Sequence, residues 1–317
     1  MKKQKYIFGP VPSRRLGLSL GVDLVPYKTC SLDCIYCECG ATTNLTIERK
    51  DYIPVKDIIK ELDFVLKYNP NINFVTFSGS GEPTLHSKIN EIIKFIKTNY
   101  PNLKICLLTN STLLSDKQVC KDISEVDLII PSLDSVDLCE FRKINRPESS
   151  IKIDDIINGI IYLKSISNAE IWLEILVMPN INDSIESFEK FRQALLKIKP
   201  NKVQLNTLDR PGCFDDLTPV SKEKLEELAN VINDIATVEI VAKFAYKNKK
   251  SSAEIADGNI DDKVLEFISR RPCTLDDILF SLNLDKDILK ATIYKLKKYN
   301  KITTKDSERG EFYSVTV

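Results

Sequence analysis

Histidine is almost missing from this chain: His86 is the only one. That scarcity argues against histidine-based catalytic triads and multi-histidine metal sites. Net charge is missing too, since 45 lysines and arginines balance 45 aspartates and glutamates. No global field therefore draws in nucleic acid or a membrane, and any such surface has to be a local patch. Long apolar runs are absent as well. "LEILVMP" (Leu173–Pro179) is strand-length, far short of the roughly 20 residues that span a bilayer. The basic start, "MKKQKYIFGPVPSRR", lacks the apolar core region of a secretory signal. Nor is there an internal repeat or a low-complexity tract. The cysteines, nine in number and irregularly spaced, do not make a secreted disulfide framework. The expected compartment is the reducing cytoplasm, with no membrane association.

What is present is an ordinary globular composition, 317 residues with 43% hydrophobic side chains. That suits one large domain, or one of about 200–250 residues with a small appendage. Six short β-branched or apolar runs alternate with helical patterns. The strands are expected at Leu18–Val25, Asn73–Gly79, Leu103–Asn110, Val126–Leu133, Ala169–Met178 and Lys202–Leu208. Helical periodicity is expected over Val55–Tyr68, Ser87–Asn99, Ile153–Ile166, around Ile185–Ile198 and near Ser221–Asp234. This alternation implies parallel strands with crossover helices. Polar residues recur where strands give way to loops, which fits a full or partial β/α barrel over a flavodoxin-like open sheet.

After Phe244 the character changes. Residues 1–245 are expected to form the α/β domain, 246–260 a linker and 261–317 a small C-terminal domain. Three helical patterns (Asp262–Arg270, Leu275–Leu282, Asp285–Asn300) precede two β-prone segments around a turn at Arg309-Gly310. Three helices and a hairpin make a winged-helix arrangement.

The densest chemistry is "VPYKTCSLDCIYCECG" (Val25–Gly40), where Cys30, Cys34, Cys37 and Cys39 fall within ten residues. A structural zinc takes four ligands, often as two separated pairs, and no second C-x2-C exists. A disulfide between such close cysteines would restrain little of the unfolded chain. A lone nucleophile would not explain three or four thiols. An iron–sulfur cluster does, because iron prefers thiolates, and three of them leave the fourth iron open.

The segment C30-S-L-D-C34-I-Y36-C37 resembles the C-x3-C-x-aromatic-C signature of radical S-adenosylmethionine (radical SAM) enzymes. The resemblance spans roughly Tyr6 to Lys243 and implies a partial (β/α)6 TIM-like barrel. It implies Cys30, Cys34 and Cys37 as cluster ligands and as the catalytic set. It also implies two cofactors, a [4Fe–4S] cluster and S-adenosylmethionine. "SGSGEPT" (Ser78–Thr84) is similar to the family's Gly-Gly-Glu-Pro segment, with Ser80 interrupting the glycine pair, so Gly79, Ser80, Gly81 and Glu82 become cofactor-binding candidates. Tyr36 would lie along the adenine. Asn110, Ser132 and Asp134 match strand-end positions that contact the methionine carboxylate or ribose, with Glu174 and Asn206 behind them. The implied reaction is reductive cleavage of S-adenosylmethionine to a 5′-deoxyadenosyl radical that abstracts hydrogen. Its electron donor would be a flavodoxin or ferredoxin. Cys39 is unassigned, and Cys213 in "DRPGC" is a lesser candidate at the barrel mouth.

"FGPVPSRRLGLSLGVDLVPYKTC" and "QLNTLDRPG" resemble, more distantly, radical enzymes similar to tRNA wyosine-base synthases. Arg14 and Arg15 are candidates to bind phosphate or carboxylate, or else a structural pair. Between Ile288 and Lys305 there are six lysines and no acid. Leu289, Ile293 and Leu296 would be buried, leaving Lys290, Tyr294, Lys297, Lys298 and Lys301 near one another on an exposed face. Such a stripe is suited to a phosphate backbone, so an RNA, best a tRNA nucleoside, is the expected substrate. A peptide substrate is the near alternative, and a metal-sensing winged-helix regulator the rival from another class.

Overall fold

A computed structural model of the chain describes residues 6–13, 15–68, 71–212, 214, 216–241, 260–282, 284–307 and 310–316. These fall into two compact units. The first draws its described residues from Met1–Ile35, Ala41–Thr207 and Thr218–Ala242. It runs β1 (Ile7–Ser13), β2 (Gly17–Val22), β3 (Thr29–Cys30), β4 (Asn44–Leu45), α1 (Val55–Tyr68), β5 (Phe74–Phe77) and α2 (Ile89–Asn99). It continues with β6 (Lys104–Thr109), α3 (Lys117–Asp122), β7 (Leu128–Pro131), α4 (Leu138–Asn145), α5 (Ile153–Ile166) and β8 (Glu170–Leu176). Then come α6 (Ile185–Ile198), β9 (Lys202–Asn206), α7 (Lys222–Ile232) and β10 (Thr237–Ile240).

Eight of these strands form one sheet, in the order β1-β2-β5-β6-β7-β8-β9-β10. Every neighbouring pair from β2 to β10 is parallel, and only β1 joins antiparallel, at an edge. The six expected strands are all present. The structure adds β1 and β10 at the two edges, and the helices α3 and α4. β1 carries Pro10 and Pro12, and proline, having no N–H to give a ladder, is tolerated in a strand chiefly at an edge.

The parallel pairs follow from the crossover helices, whose apolar residues recur at helical spacing. α1 buries Val55, Ile58, Leu62 and Leu66, and α2 buries Ile89, Ile92, Ile93 and Ile96. Each such side chain contributes about 1.5–3 kcal/mol on leaving water. Ser184 and Ser221 cap α6 and α7 by accepting from Ser187 N and Lys224 N. Strand side chains alternate between faces. Val75, Phe77, Ile105, Leu107, Ile171, Leu173, Val203 and Leu205 share one large core with residues of α1, α2, α5, α6 and α7. Phe74, Cys106, Leu108, Leu128, Ile130 and Trp172 gather with Leu16 in a separate small cluster, to which none of those helices contributes.

The second unit comprises α8 (Ile260–Ile268), β11 (Cys273–Thr274), α9 (Leu275–Leu282), α10 (Lys286–Lys298), β12 (Ile302–Ser307) and β13 (Gly310–Val315). Its three-stranded sheet runs β11-β13-β12, all antiparallel. The core is built from Val264, Ile268, Ile278, Leu289, Ile293 and Leu296. Tyr36–Gly40 and Leu208–Leu217 also belong to this unit, so it is not continuous in sequence as the expected boundaries were. Arg210, 8% exposed, gathers those pieces. It donates to Pro272 O at 2.6 Å and Asp277 Oδ2 at 2.7 Å, with Glu38 Oε2 at 3.4 Å. All but Ile260 of the linker expected over 246–260 lies outside the described residues, as do Arg14, Cys213 and Arg309. Among the described residues no helix is long and apolar enough to cross a membrane.

Candidate active site

The cysteine motif begins in the loop after β2. Two backbone N–H groups of that loop, Asp33 N and Ile35 N, donate to Asn145 O (3.0 Å) and Ile144 O (2.9 Å). These are carbonyls at the C-terminal end of α4, which a helix leaves without partners of its own. α4 stops there because Arg146 turns left-handed (φ 43°) ahead of Pro147. Thr42 closes the other side, donating from N to Asp33 Oδ1 (2.6 Å) and from Oγ1 to Leu32 O (2.7 Å). Cys34 is thus carried on a segment hydrogen-bonded at both flanks.

The "SGSGEPT" segment follows β5 and lies along the start of the same loop. Ser80 O accepts from Lys28 N (2.9 Å), and Glu82 N donates to Thr29 O (3.1 Å). Two glycines make that approach possible. A Cβ on Gly81 would sit 2.2 Å from Thr29 O, and one on Gly79 (φ 132°) 1.6 Å from Asp23 Oδ1. Asp23 Oδ1 also accepts from Ser80 N at 3.0 Å.

Glu82 is 2% exposed. Its Oε1 accepts from Thr84 N (3.1 Å), Thr84 Oγ1 (2.6 Å) and Thr109 Oγ1 (2.7 Å), and its Oε2 from Asn110 N (2.8 Å). Burial raises its pKa above the ordinary carboxyl value, while the four donors pull the other way. Those bonds tie the loop after β5 to the end of β6, so this carboxylate is occupied within the fold.

Asn110 donates from Nδ2 to Ser31 Oγ (2.9 Å) and to Cys30 Sγ (3.4 Å). Ser132 is half-buried, and its carbonyl accepts from Ser111 Oγ at 2.8 Å. Asp134 is buried, accepting from Leu176 N at Oδ1 (3.0 Å) and from Asn145 Nδ2 at Oδ2 (2.6 Å). Asn145, unmarked by any sequence signal beyond the helix stop in "NRP", also donates to Cys34 Sγ at 3.4 Å. Tyr36 and Cys37 are half-buried and belong to the second unit, where Gly40 N donates to Cys37 O (3.1 Å) and Cys39 Sγ to Arg270 O (3.4 Å). Among the described residues no three His, Cys, Asp or Glu side chains converge on one metal-binding point. Metal binding and ordering of the ligand loop are coupled events.

Three of the other thiols, Cys106, Cys120 and Cys273, are buried and separate from the motif. Burial pushes Cys106 and Cys120 up to about 12 and Cys273 up to about 11, leaving them poor thiolates and poor ligands. His86 is fully buried, donating from Nε2 to Ile53 O (2.8 Å) and accepting at Nδ1 from Lys88 N (3.2 Å). Arg15 is part-buried, paired with Glu174 and donating to Gln204 Oε1 at 2.7 Å. Asn206 reaches the same Glu174, at 3.3 Å. These side chains form one polar network of the first unit.

Residues 24–193, more than half of the chain, match the Radical SAM superfamily. The chain belongs to the radical SAM superfamily. It is an iron–sulfur enzyme, and the family's cofactors are a [4Fe–4S] cluster and S-adenosylmethionine. That sets aside the metal-sensing regulator. The chain also belongs with the UPF0026 proteins: it is 32% identical to one from Methanocaldococcus jannaschii, the match covering 89% of this chain and 88% of that protein. It is 35% identical to a protein named GTPase Obg from Brachyspira hyodysenteriae, over 95% of this chain but 44% of that protein. The chain therefore spans less than half of that relative's length. In fold it is similar to a radical SAM methyltransferase from Sphaerobacter thermophilus, with TM-score 0.58 and 12% identity over 72% of this chain and 67% of that one.

The residues present suit the family's cofactors. Amide donors face two of the motif sulfurs, as sulfurs that carry thiolate charge require. Beside them the glycines of the "SGSGEPT" loop let its backbone pack directly against Thr29 and Asp23.

Proposed function

We propose that Cys30, Cys34 and Cys37 hold the cluster and that this radical SAM enzyme acts on an RNA nucleoside, best a tRNA nucleoside. The observation that carries the site is the pair of amide–sulfur contacts, from Asn110 to Cys30 and from Asn145 to Cys34. When bound, the cluster and S-adenosylmethionine supply one-electron cleavage of a sulfonium C–S bond. The chain's own part is to bind and orient. The backbone of Gly79, Ser80 and Gly81 would receive the methionine end, with Glu82 fixing that loop from behind, and Tyr36 would lie along the adenine. Asn110 and Ser132 stand at neighbouring strand ends, each with a half-buried side chain. A flavodoxin or ferredoxin supplies the electron. The fold reading is a partial (β/α)6 TIM-like barrel, supported by parallel strands whose helices share one sheet face.

For the substrate, the support is the second unit. The order α8-β11-α9-α10-β12-β13, with β13 central in its sheet, supports reading it as a winged-helix module. On α10 and just beyond it, Tyr294 and Tyr299 are 72% and 64% exposed, and Lys290, Lys298 and Lys301 are exposed as well. Lys297, expected on that stripe, instead pairs with Glu311 at 2.5 Å, and Lys295 pairs with Asp261 at 2.6 Å. The stripe left to meet a phosphate backbone is thus narrower than the sequence suggested. The N-terminal likeness to wyosine-base synthases points the same way. The test is binding of total tRNA as a function of salt. Affinity should fall steeply with salt, and Lys298→Glu with Lys301→Glu should flatten the slope by about one unit for each phosphate that a lysine no longer neutralises. Salt-insensitive binding, or tight capture of a short precursor peptide in place of RNA, overturns the substrate reading.

A further inference from the structure

Two side-chain amides on different elements face two of the motif sulfurs, and their surroundings fix which way each amide points. Asn110, just after β6, accepts at Oδ1 from Thr112 N (3.1 Å) and Thr112 Oγ1 (2.8 Å). A backbone N–H can only donate, so the oxygen is pinned and Nδ2 is what faces Cys30. Asn145, the last residue of α4, turns Nδ2 to Asp134 Oδ2 at 2.6 Å. The same nitrogen donates to Cys34 Sγ at 3.4 Å, so here too the N–H side of the amide faces the sulfur. Asp134 is itself fixed, since Leu176 N donates to its other oxygen. The amide of Asn145 is 2% exposed, and its Oδ1 is buried with no hydrogen-bond partner among the described residues. An orphaned buried carbonyl is unfavourable. The fold accepts it and keeps both N–H bonds of one amide on Asp134 and Cys34.

We infer that Asn110 and Asn145 are positioning residues that raise the reduction potential of the cluster, with Asp134 acting through Asn145. The inference rests on the assignment of Cys30 and Cys34 as ligands proposed above. Hydrogen bonds to cluster sulfurs are among the determinants of iron–sulfur potentials. A donor to a ligating sulfur stabilises the reduced cluster more than the oxidised one, because the added electron increases the negative charge on sulfur. The change is a one-electron equilibrium with a low-potential one-electron donor, the donor oxidised and the cluster reduced, and no atom is transferred. This gives Asp134 a different task from the methionine-carboxylate or ribose contact expected of its position: it holds the amide that holds the sulfur.

The test uses the full chain, reconstituted anaerobically with iron and sulfide, as wild type, Asn145→Ala, Asn110→Ala and the double variant. Iron and sulfide content, circular dichroism and an EPR-monitored redox titration are measured on each. The expected result is wild-type iron content with a more negative midpoint in each single variant and a further shift in the double. At a poise set to the wild-type midpoint, the ratio of reduced to oxidised cluster should fall about tenfold per amide, ~59 mV for a one-electron couple. An unmoved or more positive midpoint at full iron content overturns the inference. So does loss of cluster assembly in both single variants with the fold intact, which would make the amides assembly residues. Because the two amides sit on different elements, a folding defect in one variant leaves the other to decide. Failure of the ligand assignment looks different: the wild type takes up no cluster, or Cys34→Ala takes it up as the wild type does.

Discussion

Replacing Glu82 by glutamine separates two roles for a residue that the motif marks as cofactor-binding. In the structure its two oxygens accept four hydrogen bonds, from Thr84 N, Thr84 Oγ1, Thr109 Oγ1 and Asn110 N. A glutamine retains one acceptor oxygen. If that oxygen keeps the three bonds at Oε1, the new NH2 meets the Asn110 N–H donor to donor. The loss is then one bond to a charged acceptor, about 1.5–3 kcal/mol, with the remaining three weakened from charged to neutral. Relief of the buried charge works the other way, since burial already raises this carboxyl's pKa. A net destabilisation of about 2–3 kcal/mol follows, which for a domain of 150–250 residues is a fall in Tm of roughly 4–12 °C. Thermal unfolding followed by circular dichroism measures it on the cofactor-free chain. An unchanged Tm together with lost binding of S-adenosylmethionine would refute the reasoning, because it would make Glu82 a cofactor ligand and not the tie between two loops.

Three further outcomes follow from the same structure. Gly81→Ala places a Cβ 2.2 Å from Thr29 O; overpacking of this kind costs about 1–3 kcal/mol, so both Tm and cofactor affinity should drop, and a variant equal to wild type in both would contradict the close approach of this loop to Thr29. Burial holds the pKa of His86 below its ordinary 6.5, so the folded state takes up its proton later than the unfolded chain. Its contribution to stability is therefore present above about pH 6.5 and is lost as pH falls below that value; the difference in Tm between wild type and His86→Gln should shrink from pH 7.5 to pH 5, and a difference that grows would be inconsistent with a neutral buried imidazole. Arg210→Leu leaves Asp277 and Glu38 without their buried guanidinium, a loss of about 3–5 kcal/mol; hydrogen exchange should quicken at 36–40 and 273–277, with Asp277→Asn in the same chain restoring part of the protection, and unaltered exchange would remove Arg210 as the organiser of that unit.

Much of the fold was legible because it is periodic. The apolar stripes of α1, α2 and α6 and the six inner strands recur at spacings that only one kind of element satisfies. β1 escaped because its prolines argue against a strand, and only its place at the sheet edge makes them acceptable. α3 and α4 have six and eight residues, too short for a stripe to register. At the site, the cysteine spacing and the glycine-rich loop were legible as motifs, since the chemistry needs those residue types close together in the chain. Asn145 was not. It lies 111 residues from Cys34, and nothing local distinguishes a buried asparagine at a helix end from a capping one. The task of Asp134 was hidden for the same reason, its partners being Asn145 and the backbone of Leu176. Lys297 shows the converse: a lysine that the helical wheel leaves exposed is drawn to Glu311 on a strand that the wheel does not contain.

The central claim, that Cys30, Cys34 and Cys37 are the ligand set of this radical SAM enzyme, is tested most directly by cleavage of S-adenosylmethionine. Wild type and the three single cysteine-to-alanine variants are reconstituted anaerobically, reduced with dithionite and assayed for 5′-deoxyadenosine, with Cys39→Ala as the control inside the same loop. The account predicts product from wild type and Cys39→Ala, and none from the other three. An iron-loaded, reduced wild type that leaves S-adenosylmethionine intact, or a Cys34→Ala variant that cleaves it at the wild-type rate, would contradict it.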